Sequence, residues 1–488
     1  MDGGKAKGDD ESILSDVRSL MRSVYIRYVP SYGNNFFFTI GVYLLELFVV
    51  LAITGIVMLV FGPYWWNLTT IGSFFRSVHL WAAEAFVTLM FVHLFVNFST
   101  SAFKHKKLVW MIGSIMLLLV LLQFAFGVGI QGGLVSQWND KAAADLWNGL
   151  GLGYWINPLN AGAVLGWHIA IVPLLLAVLM VSHFMLVKKK GISKPYRKDI
   201  PYRMVPANHK TMYKRMVYVA AVVLLFAVFL PAPYIAPLTI KQAASEQPDV
   251  VAATFLREFN FSSSTATYLD TIDPYTFSTR RVFVSLPYST YINLTGRPNM
   301  EEEFMLEQAS ARNATMAQAL SYFESNGSVA AGLNSTNPLI VMAAELTQMA
   351  KRGTYQDVLQ GEVQSGLNNT YVILFLNDTG ILTSTAHKYG LLVPQLGMLK
   401  VAGPPWSLQY WLLPYNVMEI FTGNIPWWND LENGLVATFA FILLLAFPFI
   451  PYVNTLPDKL GLYKIFWNRF TVPEMRKRMR KRRGRFGG

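Results

Sequence analysis

The sequence predicts an all-α membrane protein: a four-helix transmembrane bundle, two further transmembrane helices and an α+β insert outside the membrane. Three observations carry this. Of 488 residues, 53% are hydrophobic and mean hydropathy is +0.33, with span-length apolar stretches near 37–61, 76–98, 108–130, 164–187, 215–236 and 433–453. Basic residues fall at alternate connections. Lys104, His105, Lys106 and Lys107 separate spans two and three, and Lys188 to Lys190, Lys194, Arg197, Lys198 and Arg203 separate four and five. The loops after spans one and three are nearly free of Lys and Arg, so both termini are expected in the cytoplasm. Third, residues 240–395 change character: nine basic and fourteen acidic side chains in a polar segment, which this topology puts outside the cell.

The elements follow in order. Residues 1–36 are polar, with no h-region or small-residue cleavage site, so the first span is expected to stay in the membrane. Residues 37–187 hold four spans joined by short or moderate loops and read as a bundle. A basic cytoplasmic linker, 188–214, leads into the fifth helix, 215–236. Within the insert, "EEEFMLEQASARNATMAQALSYFES" and "PLIVMAAELTQMAKRG" have helical periodicity, whereas "RRVFVSLPY" and "YVILFLND" read as strands. Seven glycosylation sequons begin at Asn260, Asn293, Asn313, Asn326, Asn334, Asn368 and Asn377, so the insert is expected to be a glycoprotein segment. Residues 396–432 connect it to the sixth helix, 433–453, and 454–488 form a basic cytoplasmic tail, "RKRMRKRRGR" included.

The net charge of +12 needs no nucleic acid. The excess lies on the membrane portion, and the tail, without aromatic interleaving beyond Phe486, suits lipid headgroups better. There is no cysteine, which excludes disulfides, thiolate zinc, cysteine-ligated iron–sulfur clusters and thioether-attached haem in this chain.

Four histidines carry the functional signal. His79 and His93 share the second span; His168 and His183 share the fourth. At about 1.5 Å and 100° per residue, each pair spans roughly 21 Å and both members face broadly one side. Two such helices packed together can offer one imidazole each at two depths, which suits two bis-histidine haems and makes the bundle a four-helix dihaem bundle. Lone membrane histidines otherwise serve as hydrogen-bond glue or proton relays; four at matched depths favour haem. Gly41 and Gly55 in span one, and Gly113 and Gly127 in span three, repeat the 14-residue spacing and could let a flat macrocycle approach the backbone.

"RSVHLW", "SHFMLVKKKGIS", the 15-residue separation of His168 and His183, and Pro173 five after His168 resemble the cytochrome b family of quinol-oxidising Rieske/cytochrome b complexes, with the N-terminal half most like the short photosynthetic form. Trp110 and Trp138 also stand where that family tends to place aromatic residues. The resemblance implies that His79 and His168 ligate an outer haem and His93 and His183 an inner one, and that Arg76 neutralises a propionate. Two haems, b-type or variant, and quinone are the cofactors implied. The partners implied are a Rieske iron–sulfur protein, other respiratory subunits and membrane lipid, in a homodimeric complex.

The sequence departs from the pattern at three places. Thr39 replaces the cysteine that attaches an extra haem in the photosynthetic form, and Val96 replaces an arginine one turn after His93. In the 396–432 segment the quinol-site motif is degenerate: aligning Pro414 puts Leu408, Gln409, Tyr410 and Trp411 in its place, which keeps the aromatic pair and loses the carboxylate. Gln409 cannot take a quinol proton at ordinary pH. Glu84, five after His79, and Glu419, five after Pro414, are the candidate substitutes; Glu46 could serve an inner quinone site.

The expected function is therefore the cytochrome b subunit of a respiratory quinol:acceptor oxidoreductase. Quinol is oxidised outside, with one electron passed to the Rieske partner and one through the two haems to quinone inside. Absent cysteines, sequons and the long insert suit a prokaryotic plasma membrane, archaeal membranes included. Two rivals make different demands. A dihaem anchor would pass electrons between quinone and an external non-Rieske dehydrogenase or reductase, with the insert as its docking surface. A proton-relaying transporter or receptor would contain no haem.

Overall fold

A computed structural model of the chain describes residues 27–149, 151–153, 155–192, 204–269, 277–362, 367–391 and 426–466. The first strand, β1 (Tyr28–Pro30), precedes α1 (Phe36–Leu68), which opens on Asn35, whose side chain accepts from Phe37 N at 3.2 Å. Gly62, at φ 77°, and Pro63 break α1 where the apolar run ends. Then come α2 (Thr70–Ser99), α3 (Lys107–Gly129), a short α4 (Leu134–Gly149), α5 (Ala161–Lys190), strand β2 (Met204–Pro206) and α6 (His209–Phe229). Five of these helices, α1, α2, α3, α5 and α6, are long and apolar enough to cross a membrane. The chain is a multi-pass, mostly helical membrane protein.

The packing pairs α1 with α2, α3 with α5, and α2 with α6. At the end of the bundle bearing the basic connections (the basic side), β1 and β2 pair antiparallel, Val29 opposite Val205. Asn34 fastens this ribbon: its Nδ2 donates to Pro206 O at 3.2 Å and its Oδ1 accepts from Asn208 N at 2.8 Å.

Beyond α6 the insert includes α7 (Pro248–Phe259), α8 (Leu286–Thr295), α9 (Pro338–Arg352), α10 (Thr370–Asp378) and α11 (Ile381–Lys388). The described insert is helical, which corrects the α+β expectation. "YVILFLND" lies in α10, with Val372, Ile373, Phe375 and Leu376 buried, and "RRVFVSLPY" is a π turn, Arg280–Ser285, running into α8. Both runs resemble strands in sequence because β-branched and aromatic residues follow one another without polar gaps. A fully buried short helix gives the same signature. The small sheet is instead the β1–β2 ribbon. The insert core is continuous with the bundle side: Leu134 and Ala144 of α4, and Leu159, are buried in one cluster with Phe255, Phe283 and Phe375.

The segment expected as the sixth membrane helix also differs. α12 (Pro426–Ala446) ends earlier than the expected 453, in a 3-10 turn containing Pro448, and the chain bends by 74° between Thr438–Phe449 and Val453–Lys459. Trp110 Nε1 holds α12 to α3 by donating to Leu444 O at 2.8 Å. Past the bend, Asp458 accepts from Ser101 Oγ at 2.7 Å and pairs with Lys104.

Two buried carboxyls in the insert face one another. Glu258 in α7 is fully buried and Asp378 in α10 nearly so. Glu258 Oε2 accepts from Ser263 Oγ at 2.7 Å and Asp378 Oδ1 from Thr265 N at 3.1 Å, which leaves Glu258 Oε1 and Asp378 Oδ2 for a shared proton. Burial, then the Asp378 charge, pushes the Glu258 pKa up, and burial pushes that of Asp378 up. Thr279, Tyr355 and Lys141 are the other polar or charged neighbours. Because the folded pair holds a proton that the unfolded chain releases near pH ~4, its stabilisation is complete below that value and is lost as pH rises through the raised folded values. Hydrogen-exchange protection of α7 and α10 amides, corrected for intrinsic rates, is expected to fall as pH rises above the ordinary carboxylate range. Glu258→Gln should flatten that dependence; an equally steep profile in the variant would remove the pair as its cause.

Candidate functional site

The four histidines gather at two levels of the bundle. At the level nearer the insert, the His79 and His168 rings have centroids 6.3 Å apart. Two metal–nitrogen bonds of about 2 Å each, plus the depth of two half-rings, span a distance of that order.

Each of these rings has its second nitrogen tied. Thr54 Oγ1 lies 2.9 Å from His79 Nδ1 and gives its own proton to Val50 O at 2.8 Å, so it accepts from Nδ1–H. His168 Nδ1 lies 3.0 Å from Gln123 O, which can only accept. Both imidazoles are thereby set with Nε2 free as a lone-pair donor, the arrangement of metal-bound histidines.

The backbone around His168 is built for this grip. Trp167–Ile171 form a π turn in which Val172 N donates to Trp167 O. In that register the His168 carbonyl would await the amide of residue 173, but Pro173 has none. Gln123 Nε2 donates to it instead, at 2.7 Å. One glutamine thus holds His168 by its ring and by its carbonyl.

Three of the four glycines stand against these rings. A methyl at Gly127 would meet His168 Cε1 at 2.9 Å; at Gly55, His79 Cε1 at 3.4 Å; at Gly113, His183 Cε1 at 3.6 Å. Gly41 faces open space. At the level nearer the basic side, His93 Nδ1 is buried with no hydrogen-bond partner among the described residues. Asn97 Nδ2 lies 3.3 Å from His93 Nε2, the nitrogen an iron would need.

Arg76 is buried beside the insert-side pair. Its Nη1 donates to Asn67 Oδ1 at 2.8 Å, its Nη2 donates to Ala232 O, and its guanidinium lies over Tyr234 at 5.6 Å. Nε is buried and has no acceptor among the described residues, so one donor is left for an anion. Val96 is buried and apolar, and Thr39 Oγ1 lies 2.9 Å from Tyr43 OH. Glu84 Oε1 and Glu46 Oε2 are buried with no hydrogen-bond partner among the described residues. Gln409, Tyr410, Trp411 and Glu419 lie outside the described residues.

Thr54 and Gln123 were not singled out from the sequence. Each had a faint signal: Thr54 adjoins Gly55, and Gln123 is a lone amide in "LLLVLLQFAF", one turn before Gly127.

The residues present fit bis-histidine haem: paired imidazoles of one tautomer, three glycines that leave room for the histidine rings, and a buried guanidinium donor to spare. Residues 84–243 match the family described as "Cytochrome b(N-terminal)/b6/petB". Cytochrome b6 of Chlamydomonas reinhardtii is 28% identical over 204 residues, covering 37% of this chain and 94% of the relative. That of Picosynechococcus sp. is 26% identical over 203 residues, covering 37% and 91%. A solved structure described as "Hyperthermophilic respiratory Complex III" covers 77% of this chain and 96% of that one, at 17% identity and a TM-score of 0.40. Over the helical membrane bundle, this chain is similar to the cytochrome b(N-terminal)/b6 family.

Proposed function

We propose that this chain is the cytochrome b subunit of a respiratory quinol-oxidising complex, with His79 and His168 binding one haem and His93 and His183 the other. The observation that supports this most is the insert-side pair: two rings 6.3 Å apart, each with Nδ1 committed to a neighbour. Haem iron supplies reversible one-electron transfer when bound there. The protein's part is to fix the imidazoles, exclude water and handle charge. Arg76 would neutralise a propionate on the insert side, while Val96 leaves the other level without the family's arginine.

In this reading both termini are cytoplasmic and the insert faces outward, so that quinol is oxidised near the insert side and quinone reduced near the basic side. Tyr410 and Trp411 would line the quinol pocket with Gln409 as a hydrogen-bonding group. Glu84 and Glu419 are candidate proton acceptors there, and Glu46 is one at the quinone site. A Rieske iron–sulfur protein, further respiratory subunits, lipid and a second copy of the complex are the partners proposed, in a prokaryotic plasma membrane. Of the sequon residues, Asn260, Asn293, Asn313, Asn326 and Asn334 are exposed and suited to glycans.

One observation favours a second reading. Gln409 stands in place of the motif carboxylate, which suits a dihaem anchor for a non-Rieske dehydrogenase or reductase. Co-purification of a Rieske subunit, with sensitivity to outer-site inhibitors, separates the two.

Potentiometric titration of the visible spectrum is expected to give two haem transitions per chain. One should vanish with His79→Ala or His168→Ala and the other with His93→Ala or His183→Ala; a chain purified from its membrane without haem would overturn the proposal. Thr54→Val keeps the shape and removes the acceptor from His79. Loss of a ligand's hydrogen-bond partner typically costs ~10–100-fold in metal affinity, so one haem should transfer to an apo-globin acceptor at least tenfold faster. Unchanged transfer would mean that Thr54 does not support the site.

A further inference from the structure

The quinol-site segment lacks its carboxylate, yet the insert side of the bundle contains another. Asp140 lies on α4 and is 7% exposed. Its carboxyl sits against the C-terminal residue of α3: a methyl on Gly129 would come within 2.5 Å of Asp140 Oδ1. Two residues back along α3, Gly127 abuts His168. The carboxyl is therefore at about the depth of the insert-side histidine pair, ~3 Å of rise past Gly127, and roughly 200° around α3 from the face that meets His168.

This is an unfavourable place for a resting anion. Burial pushes the Asp140 pKa well above the usual carboxylate range, and the carbonyl end of α3 repels negative charge. The surrounding frame is firm. Leu134 N donates to Ile235 O at 3.0 Å, and the Gln137 side chain pairs with both the N and O of Leu238, at 2.8 and 2.9 Å. α4 also packs on α12, the helix that follows the quinol-motif segment in the chain. Glu84 is different: five residues along α2 from His79, it lies ~7.5 Å further from the insert side.

We propose that Asp140 is a proton acceptor for quinol oxidation at the insert-side site, in the role of the missing motif carboxylate. The inference rests on the quinol-oxidising reading above. A quinol that becomes quinone gives up two electrons, one to haem iron and one to an iron–sulfur acceptor, and two protons. Asp140, neutral at rest, first gives its proton to water on the insert side and then, as the carboxylate, takes one of the two protons from a quinol hydroxyl; the other leaves to water on the same side. It is then neutral again and ready for the next turnover.

The test uses the purified holo-complex and a short-chain quinol, with haem reduction followed by stopped-flow under anaerobic conditions. Asp140→Asn should slow quinol-driven reduction about 100-fold, the low end of what a positioned acid–base group contributes. The quinol concentration giving half the maximal rate should stay the same, and Asp140→Glu should restore part of the rate. Haem content, dithionite-reduced spectrum and both midpoint potentials should be unchanged in Asp140→Asn. In reduced-minus-oxidised infrared difference spectra, a carboxylic C=O band should disappear with that substitution. A normal rate or a retained band would overturn the role of Asp140, provided the parent complex is reduced by quinol. If quinol fails to reduce the parent's haem, the quinol-oxidising reading itself falls.

Discussion

The bundle depends on keeping imidazoles neutral and aimed inside a medium that punishes unpaired polar atoms. Each insert-side histidine meets that constraint by giving its Nδ1 proton to an acceptor on a neighbouring helix: Thr54 on α1 for His79, and the Gln123 carbonyl on α3 for His168. Those bonds do two jobs. They satisfy a buried donor, and they leave Nε2 as the free electron pair on both rings. They also fix relative height between helices, because a slide of α1 against α2 by one residue would take Thr54 out of reach. The glycines follow from the same geometry, since a side chain at Gly127 would strike His168 where the ring must stand.

The proline five residues after His168 can be understood in the same terms. Among the described residues, two π turns have a proline two positions after their last residue: Trp167–Ile171 before Pro173, and Arg280–Ser285 before Pro287. In each, the last amide before the proline reaches back five residues, Val172 to Trp167 and Leu286 to Arg281. Proline removes the next donor, and the wider turn leaves a carbonyl to be satisfied elsewhere. In the insert this is a packing detail. In the membrane the freed carbonyl belongs to a histidine, and Gln123 answers it.

What the sequence made legible was whatever hydropathy and spacing encode. The spans of α1, α2, α3, α5 and α6 were readable because an apolar run has to match the bilayer, and α1 breaks at Gly62 and Pro63 where the run stops. The histidine and glycine spacings were readable because helical rise converts separation into depth. Partners across helices were not: nothing in "LLLVLLQFAF" says which helix Gln123 will meet. The insert misled for a related reason. Val282 to Val284 and Val372 to Leu376 are sequences any buried environment accepts, so whether they become strand or helix was settled by neighbours distant in the chain.

The insert therefore bears on function through what it is joined to. A domain hung on the loop after α6 could have had its own core and moved independently. Instead Leu134 and Ala144 of α4, and Leu159 from the following loop, are buried in the insert's cluster, and Leu159 O accepts from Asn369 N at 3.1 Å. α4 is thus held by the insert on one face and by α3 on another, and its position against Gly129 cannot shift without disturbing both. A buried carboxyl on a helix so constrained has its distance to the histidine pair set by α3 and the insert together. For the proton-acceptor role proposed for Asp140 a fused layer has a physical advantage: proton transfer depends steeply on distance, and a rigid frame would keep the carboxyl in place.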